Sequence, residues 1–166
     1  ALPRAVISSE DARFCEHGGV DWIEMQGVID EALDNDEGPT RGASTIPMQT
    51  AKNLFLWDGR LAIRKLIEIP LAMWIDLVWS KRRIIEVYLN IVEWAPGVYG
   101  AEAAAQHHFR KSAKKLTKKE AALLAAVLPN PIKRNAGKPS KGVRGVANRI
   151  LIRMAGMGPY LTCLER

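Results

Sequence analysis

Apolar residues recur at intervals of three and four along most of this chain, a pattern that predicts helices. Asp21 followed three residues later by Glu24 is typical of a capping box at a helix start. The apolar spacing continues from there to Leu33, so a first helix is predicted over residues 21–33. Residues 34–42 are acidic and contain Gly and Pro, which indicates a loop.

A second helix is predicted to begin near Ser44 or Thr45 and to end at about Phe55. Pro47 agrees with this start, because proline is tolerated in the first turn of a helix. No convincing run of alternating apolar and polar residues predicts a strand. A short hairpin within residues 34–45 stays an alternative.

The helical pattern continues through the second half of the chain. Residues 61–91 form a long helical region, which Pro70 should bend and in which Ser80 is placed to cap a restart. Gly97 and Gly100 mark a turn, and a further helix is predicted at residues 101–109.

Thr117 and Glu120 repeat the capping-box pattern ahead of a helix at residues 121–128. Residues 133–144 are basic and rich in Gly and Pro, and they lead into a final predicted helix at residues 146–154. The architecture predicted from these patterns is all-α or nearly so.

The bulk composition fits a single folded domain of 166 residues, with 48% hydrophobic and 25% charged residues. A net charge of +6 favours an anionic partner: nucleic acid, an acidic lipid surface or a phosphorylated substrate. No stretch reaches the roughly 18 apolar residues of a membrane span. The nearest, residues 67–79, is interrupted by Glu68, Pro70 and Asp76. We therefore expect either a soluble protein or an anchor outside this chain.

The two cysteines, Cys15 and Cys163, lie near opposite ends of the chain and lack metal-ligand spacing. One long-range disulfide is an alternative, but two free thiols are favoured. Cysteine usage therefore does not indicate a compartment.

Candidate chemistry is concentrated in four segments. The first, E-D-A-R-F-C-E-H-G from Glu10, places two carboxylates before an aromatic residue and a histidine, which by itself is typical of capping and surface residues. The second, residues 42–53, puts small polar residues at a predicted helix start, where backbone N–H groups and the helix dipole suit a phosphate. Gln49, Lys52 and Asn53 would share one face of that helix, as an ordinary exposed polar face also would.

The third segment spaces Arg60, Arg64 and Glu68 four residues apart on one helix face. A solvated ladder of ion pairs is the common explanation of this spacing, and a cationic clamp for a diphosphate is the functional one. The fourth segment, E-V-Y-L-N, ends at Asn90, and its Tyr88 is interpreted as core packing.

Taken together and in this order, the four segments resemble the motifs of the peptidoglycan glycosyltransferase family, glycosyltransferase family 51. Its patterns E-D-x-x-F-x-x-H-x-G, G-x-S-T-I-x-x-Q-x-x-K-N, R-x-x-x-R-K-x-x-E and E-x-Y-L-N are matched nearly completely, over about residues 2–128. Residues 88–109 look most like the monofunctional proteobacterial branch, which lacks a transpeptidase domain. One departure is Pro47-Met48, where many relatives carry a polar Thr-Gln pair.

The resemblance implies a mainly α, lysozyme-like fold with a cleft between a larger lobe and a smaller, membrane-facing lobe. The implied reaction joins lipid II, a disaccharide-peptide on undecaprenyl pyrophosphate, to a growing glycan. An α-linked pyrophosphate is replaced by a β-1,4 bond, so the reaction inverts the anomeric centre. Such a displacement needs a base and charge stabilisation of the leaving group.

The resemblance also implies residue roles. Glu10 is expected to be the base that deprotonates the acceptor 4-hydroxyl, and Glu68 the second carboxylate, near the donor pyrophosphate. Asp11 is expected to orient its surroundings. The residues expected to neutralise the diphosphate are Lys52, Arg64 and Lys65, with Arg60 at a greater distance. The expected hydrogen-bond donors are Ser44, Gln49 and Asn53.

The same resemblance implies a divalent cation, Mg²⁺ or Mn²⁺, which Glu68 would help to hold. The expected partners are lipid II, the growing glycan, other cell-wall synthesis proteins and the periplasmic face of the bacterial inner membrane, with no nucleic acid. Residues 1–166 are expected to be one glycosyltransferase domain whose N-terminal anchor lies outside this chain.

Two other functions fit parts of the sequence. A lytic transglycosylase or muramidase would share the fold and a catalytic Glu, but it has no pyrophosphate to neutralise, so Lys52, Arg64 and Lys65 count against it. A non-enzymatic basic module that binds nucleic acid or membrane explains the charge but leaves Glu10 and Glu68 without a role.

Overall fold

The computed structural model describes residues 1–34, 42–57 and 62–164, and within these ranges the chain is mainly helical, as predicted. The described residues form eight α-helices in the order α1 (Leu2–Glu10), α2 (Trp22–Asp34), α3 (Ile46–Phe55), α4 (Ala62–Val78), α5 (Lys81–Ile91), α6 (Ala101–Phe109), α7 (Lys118–Val127) and α8 (Lys141–Gly156). Short 3₁₀ segments lie at Ala113–Lys115 and Gly158–Leu164.

The predicted helix starts are confirmed by their capping contacts. The Asp21 carboxylate accepts hydrogen bonds from the first turn of α2, and the Thr45 hydroxyl accepts one from the Met48 N–H at the start of α3. Ser80 caps α5, and Thr117 and Glu120 form the reciprocal capping box of α7. These local signals place the element boundaries correctly.

Two helix predictions need correction. The last helix begins at Lys141, capped by Ser140, five residues before the predicted start, because burial of Val143 in the core against α7 offsets the low helix propensity of Gly142 and Gly145. The first helix, α1, was not predicted at all. Its apolar side chains are buried, and Pro3 stands in its first turn.

A small antiparallel hairpin is formed by β1 (Glu93–Ala95) and β2 (Val98–Tyr99). The turn uses the predicted glycines: Gly97 and Gly100 have φ angles of 72° and 85°, which glycine adopts without strain. The alternative hairpin within residues 34–45 falls partly outside the described residues, and residues 42–45 form no strand.

The main hydrophobic core is centred on α7, whose residues from Ala121 to Val127 are all buried. This helix packs against α1 and α8, so α1 is enclosed by tertiary contacts. The C-terminal end of α1, which carries Glu10, is thereby fixed on the larger lobe, built around α1, α7 and α8.

A second, smaller core consists of Val20, Met48 and Ala72, with Met25 and Ile69 packed against it. It joins α2, α3 and α4, the smaller lobe, while α3 and α4 also contribute Ile46, Ala51 and Ile75 to the main core. Gly19 allows this close packing, since a Cβ at this position would lie 2.5 Å from the Ala72 carbonyl oxygen. Met48 is buried in this core, so the departure from the family pattern at this position fills the lobe interior.

The expectation of two free thiols is wrong. Cys15 and Cys163 form a disulfide, with their Cα atoms 5.5 Å apart. The bond joins the loop after α1 to the C-terminal 3₁₀ segment, which packs against α5. Periodicity and spacing could not indicate this contact, because it depends on the fold of the residues between. Among the described helices, none is long and apolar enough to cross a bilayer.

Candidate active site

Glu10 is the last residue of α1, at the point where the larger lobe meets the loop that leads to α2. Its carboxylate accepts hydrogen bonds from the Ser9 hydroxyl at 3.3 Å and from the Gln49 side-chain amide at 3.2 Å. The Tyr88 hydroxyl in turn donates to the Gln49 amide oxygen at 2.8 Å. Because that bond fixes the amide orientation, the Gln49 NH₂ group faces Glu10.

Burial raises the pKa of the Glu10 carboxyl above its ordinary value, and the nearby Asp11 charge adds to this rise. The hydrogen bonds from Gln49 and Ser9 and the charge of Arg134 lower the pKa but do not cancel the effect of burial. A carboxylate with a raised pKa is a stronger base, which suits proton abstraction near neutral pH.

The Gln49→Met substitution is expected to raise the pKa of Glu10 further. Met has a similar volume, so the packing around Glu10 is kept, but it lacks the N–H that stabilises the charged carboxylate. Carboxyl-carbon NMR titration of isotopically labelled Glu would measure the shift. The matched control is Gln106→Met, which removes the same Gln-to-Glu contact (3.2 Å, to Glu102) from an exposed helix face. An equal Glu10 pKa in both variants would contradict the assigned contact.

Both carboxylate oxygens of Asp11 are engaged within the protein, so Asp11 orients its surroundings as expected. One oxygen lies 2.8 Å from His17 Nε2, and the other accepts the backbone N–H of Ile46 at 2.9 Å. Thr45 donates to the Gly19 carbonyl oxygen at 2.6 Å. These bonds hold the first motif loop to the start of α3, and so fix Glu10 relative to Gln49.

Glu68 lies in α4 and is only 2% exposed. Its two oxygens are ion-paired with Arg64 and with Lys65, the latter at 3.0 Å. The Lys65 ammonium also donates to the Ser44 hydroxyl at 3.1 Å and remains 45% exposed. The buried carboxylate therefore holds two cations in place, with the Lys65 side chain still accessible to an anionic ligand.

Two cavities flank the contact between Glu10 and Gln49. The first, of about 470 Å³, is lined by residues 8–13, by Asp21 and Glu24, by residues 42–45 and by Arg153. The second, of about 500 Å³, is lined by Gln49, Lys52 and Asn53 on α3, together with residues of β1, β2 and the turn after α7. The shared α3 face predicted for these three residues is confirmed.

The structure thus brings the expected site residues together in two groups. Ser44, Arg64, Lys65 and Glu68 form one cluster, while Lys52 and Asn53 line the second cavity beside Gln49. Arg60 lies outside the described residues.

Two further residues act on Glu10 that the sequence did not indicate. Tyr88, interpreted as core packing, is indeed fully buried but also orients Gln49, and burial raises the pKa of its hydroxyl. Arg134 donates to the Ala126 carbonyl oxygen at 2.8 Å, close enough for its charge to act on Glu10. No sequence signal marked Arg134 among the many basic residues of its segment.

The described site does not fit a divalent ion held by protein ligands alone. Both oxygens of Glu68 are engaged by cationic side chains. Within residues 1–34, 42–57 and 62–164, no three His, Cys, Asp or Glu side chains are grouped as metal ligands. In this geometry Glu68 orients Arg64 and Lys65, and its expected role toward a divalent ion stays a prediction.

Comparison with known proteins gives a consistent match over nearly the whole chain. Residues 1–155 match the family model described as Transglycosylase. The chain is 57% identical over 163 residues to the biosynthetic peptidoglycan transglycosylase of Rhizobium meliloti (strain 1021), covering 98% of this chain and 68% of that protein. It is 58% identical over 165 residues to the protein of the same description from Mesorhizobium japonicum, covering 99% and 69%.

The protein of the same description from Agrobacterium fabrum is 57% identical over 163 residues, covering 98% of this chain and 71% of the relative. Across such relatives the chain spans from 65% to 72% of their length.

Proposed function

The chain belongs to the transglycosylase family, and we propose that it is a peptidoglycan glycosyltransferase that polymerises lipid II into β-1,4-linked glycan strands. The observation that carries the proposal is the pairing of a buried, basic carboxylate, Glu10, with a cationic cluster. Ser44 belongs to that cluster through its hydrogen bond with Lys65, and it lines the same cavity as Glu10.

In the proposed reaction the acceptor 4-hydroxyl gives its proton to the Glu10 carboxylate. The hydroxyl oxygen bonds to the anomeric carbon of the donor as the bond from that carbon to the pyrophosphate oxygen breaks. Undecaprenyl pyrophosphate departs with the bonding electron pair, and attack from the opposite face turns the α-linkage into a β-linkage.

The cationic side chains stabilise the leaving group, since charge develops on the pyrophosphate as the bond breaks. Lys65 and Arg64, held by Glu68, supply this charge on one side. Lys52 lies on α3 in the second cavity, one turn after Gln49, and is placed to contact the sugars or phosphates that extend past the base.

The two rival functions explain less of the site. A lytic enzyme that cleaves glycan has no use for a cluster in which a buried Glu68 holds two cations. A basic binding module has no use for a desolvated Glu10 that no cationic side chain of the described residues pairs with, since burying a carboxylate costs folding free energy and such groups are typical of catalytic sites.

The protein acts at the cell envelope, and we propose that its smaller lobe contacts the inner membrane from the periplasmic side. Large apolar side chains stand exposed along one face of α4, among them Leu66, Met73, Trp74 and Leu77. The nearby α2 exposes Trp22, Ile23, Ile29 and Leu33. An exposed apolar surface of this extent in one lobe is typical of a membrane-binding site.

Substituting Trp74→Ser with Leu77→Ser is expected to weaken binding to lipid vesicles by about tenfold or more, since each side chain loses its burial in lipid. Co-sedimentation with phosphatidylethanolamine and phosphatidylglycerol vesicles measures this. The matched control is Ile152→Ser with Tyr160→Ser, which removes exposed apolar residues from the larger lobe (76% and 52% exposed). Equal losses for both pairs would contradict the proposed face.

Incubation of the protein with lipid II and divalent metal, followed by gel analysis of the glycan, tests the function itself. Polymer that lysozyme digests is the expected product, and glycan fragments released from finished peptidoglycan would instead support the lytic alternative. Repeating the reaction with a chelator tests whether polymerisation needs the Mg²⁺ or Mn²⁺ expected from the sequence resemblance. A phosphoglycolipid of the moenomycin type is expected to block polymerisation by competing for the diphosphate cluster.

A further inference from the structure

The cavity beside Glu10 contains several charged side chains that are not part of the reaction described above. Most of them are engaged within the protein. Arg13 pairs with Asp21 at 3.3 Å, Asp11 bonds to His17, and Glu24 also interacts within the chain. Groups paired in this way hold the cavity wall together and have little capacity left for a ligand.

Arg153 is the exception. It lines the same cavity from α8, its side chain is exposed, and it makes no ion pair or hydrogen bond with the described part of the chain. Ser8 lines the cavity too, and its hydroxyl is buried without a hydrogen-bond partner among the described residues. A buried unpartnered hydroxyl costs free energy that a ligand would recover.

Arg153 and Lys65 reach the catalytic region from different lobes. Arg153 belongs to α8, which packs on α1 and α7 in the larger lobe, whereas Lys65 belongs to α4. The charge of Arg134 acts on Glu10, but Arg153 is not among the groups that shift the Glu10 pKa. Arg134 therefore acts on the reacting carboxylate, whereas Arg153 stays available to a ligand in the cavity.

The proposed reaction has a use for a second cation in the cavity beside Glu10, apart from the cluster of Lys65 and Arg64. Both substrates carry anionic groups, and the donor pyrophosphate takes the cluster of Lys65 and Arg64. The acceptor presents its 4-hydroxyl to Glu10, and its own anionic groups lie away from that hydroxyl. A second cationic group, separate from the first and set back from the base, would receive them.

On the basis of the proposed function, we infer that Arg153, with the Ser8 hydroxyl, forms an anion subsite for the acceptor substrate. The subsite binds phosphate or carboxylate oxygens, which the acceptor offers in its diphosphate and in its peptide. Arg153 is a binding residue that sets acceptor affinity, and it takes no part in proton transfer.

A single-coupling assay separates acceptor binding from donor binding. A lipid II analogue that lacks the 4-hydroxyl serves only as donor, so KM is measured for each substrate in turn. We expect Arg153→Gln to raise the acceptor KM by about tenfold to a hundredfold, as loss of a charge-assisted hydrogen bond does. The donor KM and kcat should change by less than about twofold.

The matched control is Arg149→Gln, which removes an arginine one turn earlier on α8 that does not line the cavity. It should leave both KM values unchanged. Arg153→Lys, which keeps the charge without the planar guanidinium, should give an intermediate acceptor KM. Thermal unfolding of each variant verifies that the fold is intact.

Two further acceptors identify the anionic group. One is the lipid-linked disaccharide without its peptide, and the other is the disaccharide-peptide as a methyl glycoside without diphosphate. Whichever group Arg153 binds, the acceptor lacking it should show equal KM values with wild type and Arg153→Gln. An Arg153→Gln variant with unchanged acceptor KM, or with donor and acceptor KM raised equally, overturns the inference. If the wild-type protein couples the donor to none of these acceptors, that result contradicts the proposed function instead.

Discussion

Replacing Glu10 with Gln is expected to lower kcat for lipid II polymerisation by about 10² to 10⁴-fold. Gln has nearly the same shape but cannot accept a proton, so the acceptor hydroxyl loses its base. Substrate binding should change little, because the cationic cluster of Arg64, Lys65 and Glu68 remains intact. The measurement is the initial rate of glycan formation at saturating lipid II, with KM determined separately.

The pH dependence of the wild type gives an independent check on the same residue. Glu10 acts as a base only when ionised, so kcat should fall as pH drops through its pKa. Because burial raises that pKa above 4.5, the acidic fall should lie above the range of an ordinary glutamate. The acidic fall in kcat should be absent from the residual activity of Glu10→Gln.

The control for Glu10→Gln is Glu86→Gln, which neutralises an exposed glutamate that pairs with Arg83 at 3.0 Å. Its rate should stay within about twofold of the wild type, since surface ion pairs contribute little. The two variants differ in whether the lost carboxylate faces the catalytic cavity. Wild-type kcat in Glu10→Gln, with the fold verified by circular dichroism, would remove Glu10 from the role of base.

Most helices were predictable from sequence because their signals are local. Thr45, Ser80 and Thr117 each bond to a backbone N–H within three residues, so the cap can be recognised without knowledge of the fold. The α1 helix was missed because its stability comes from packing against α7. The hairpin at residues 93–99 was missed because its strands are too short to show alternation.

The residue types of the site were predictable, but their partners were not. The motif resemblance identifies Glu10 and Gln49, yet their hydrogen bond joins residues 39 positions apart and depends on how α3 docks against α1. It also groups Lys52 with Lys65, whereas the structure places Lys52 in the second cavity. Arg153 lies beyond the recognised motifs, and only the fold brings it to the cavity of Glu10.

Opening the disulfide between Cys15 and Cys163 is expected to lower the free energy of unfolding by about 2–5 kcal/mol. The bond closes a loop of almost the whole chain, with a sequence separation of 148 residues, so it strongly restricts the unfolded ensemble. It also holds the C-terminal 3₁₀ segment against α5. Urea unfolding of wild type, Cys15→Ser, Cys163→Ser and the double variant measures the loss, and serine suits these half-buried positions.

The four proteins form a cycle that tests the bond itself. Either single substitution removes the whole cross-link, so each single variant and the double variant should lose about the same free energy. Reducing the wild type with dithiothreitol should lower its stability to the level of the variants and leave theirs unchanged. If the two losses instead add in the double variant, or if the reductant has no effect on the wild type, the cysteines contribute only by packing. A stabilising disulfide between Cys15 and Cys163 would also agree with folding in an oxidising compartment. The periplasmic side of the inner membrane, where we propose that the protein acts, is such a compartment.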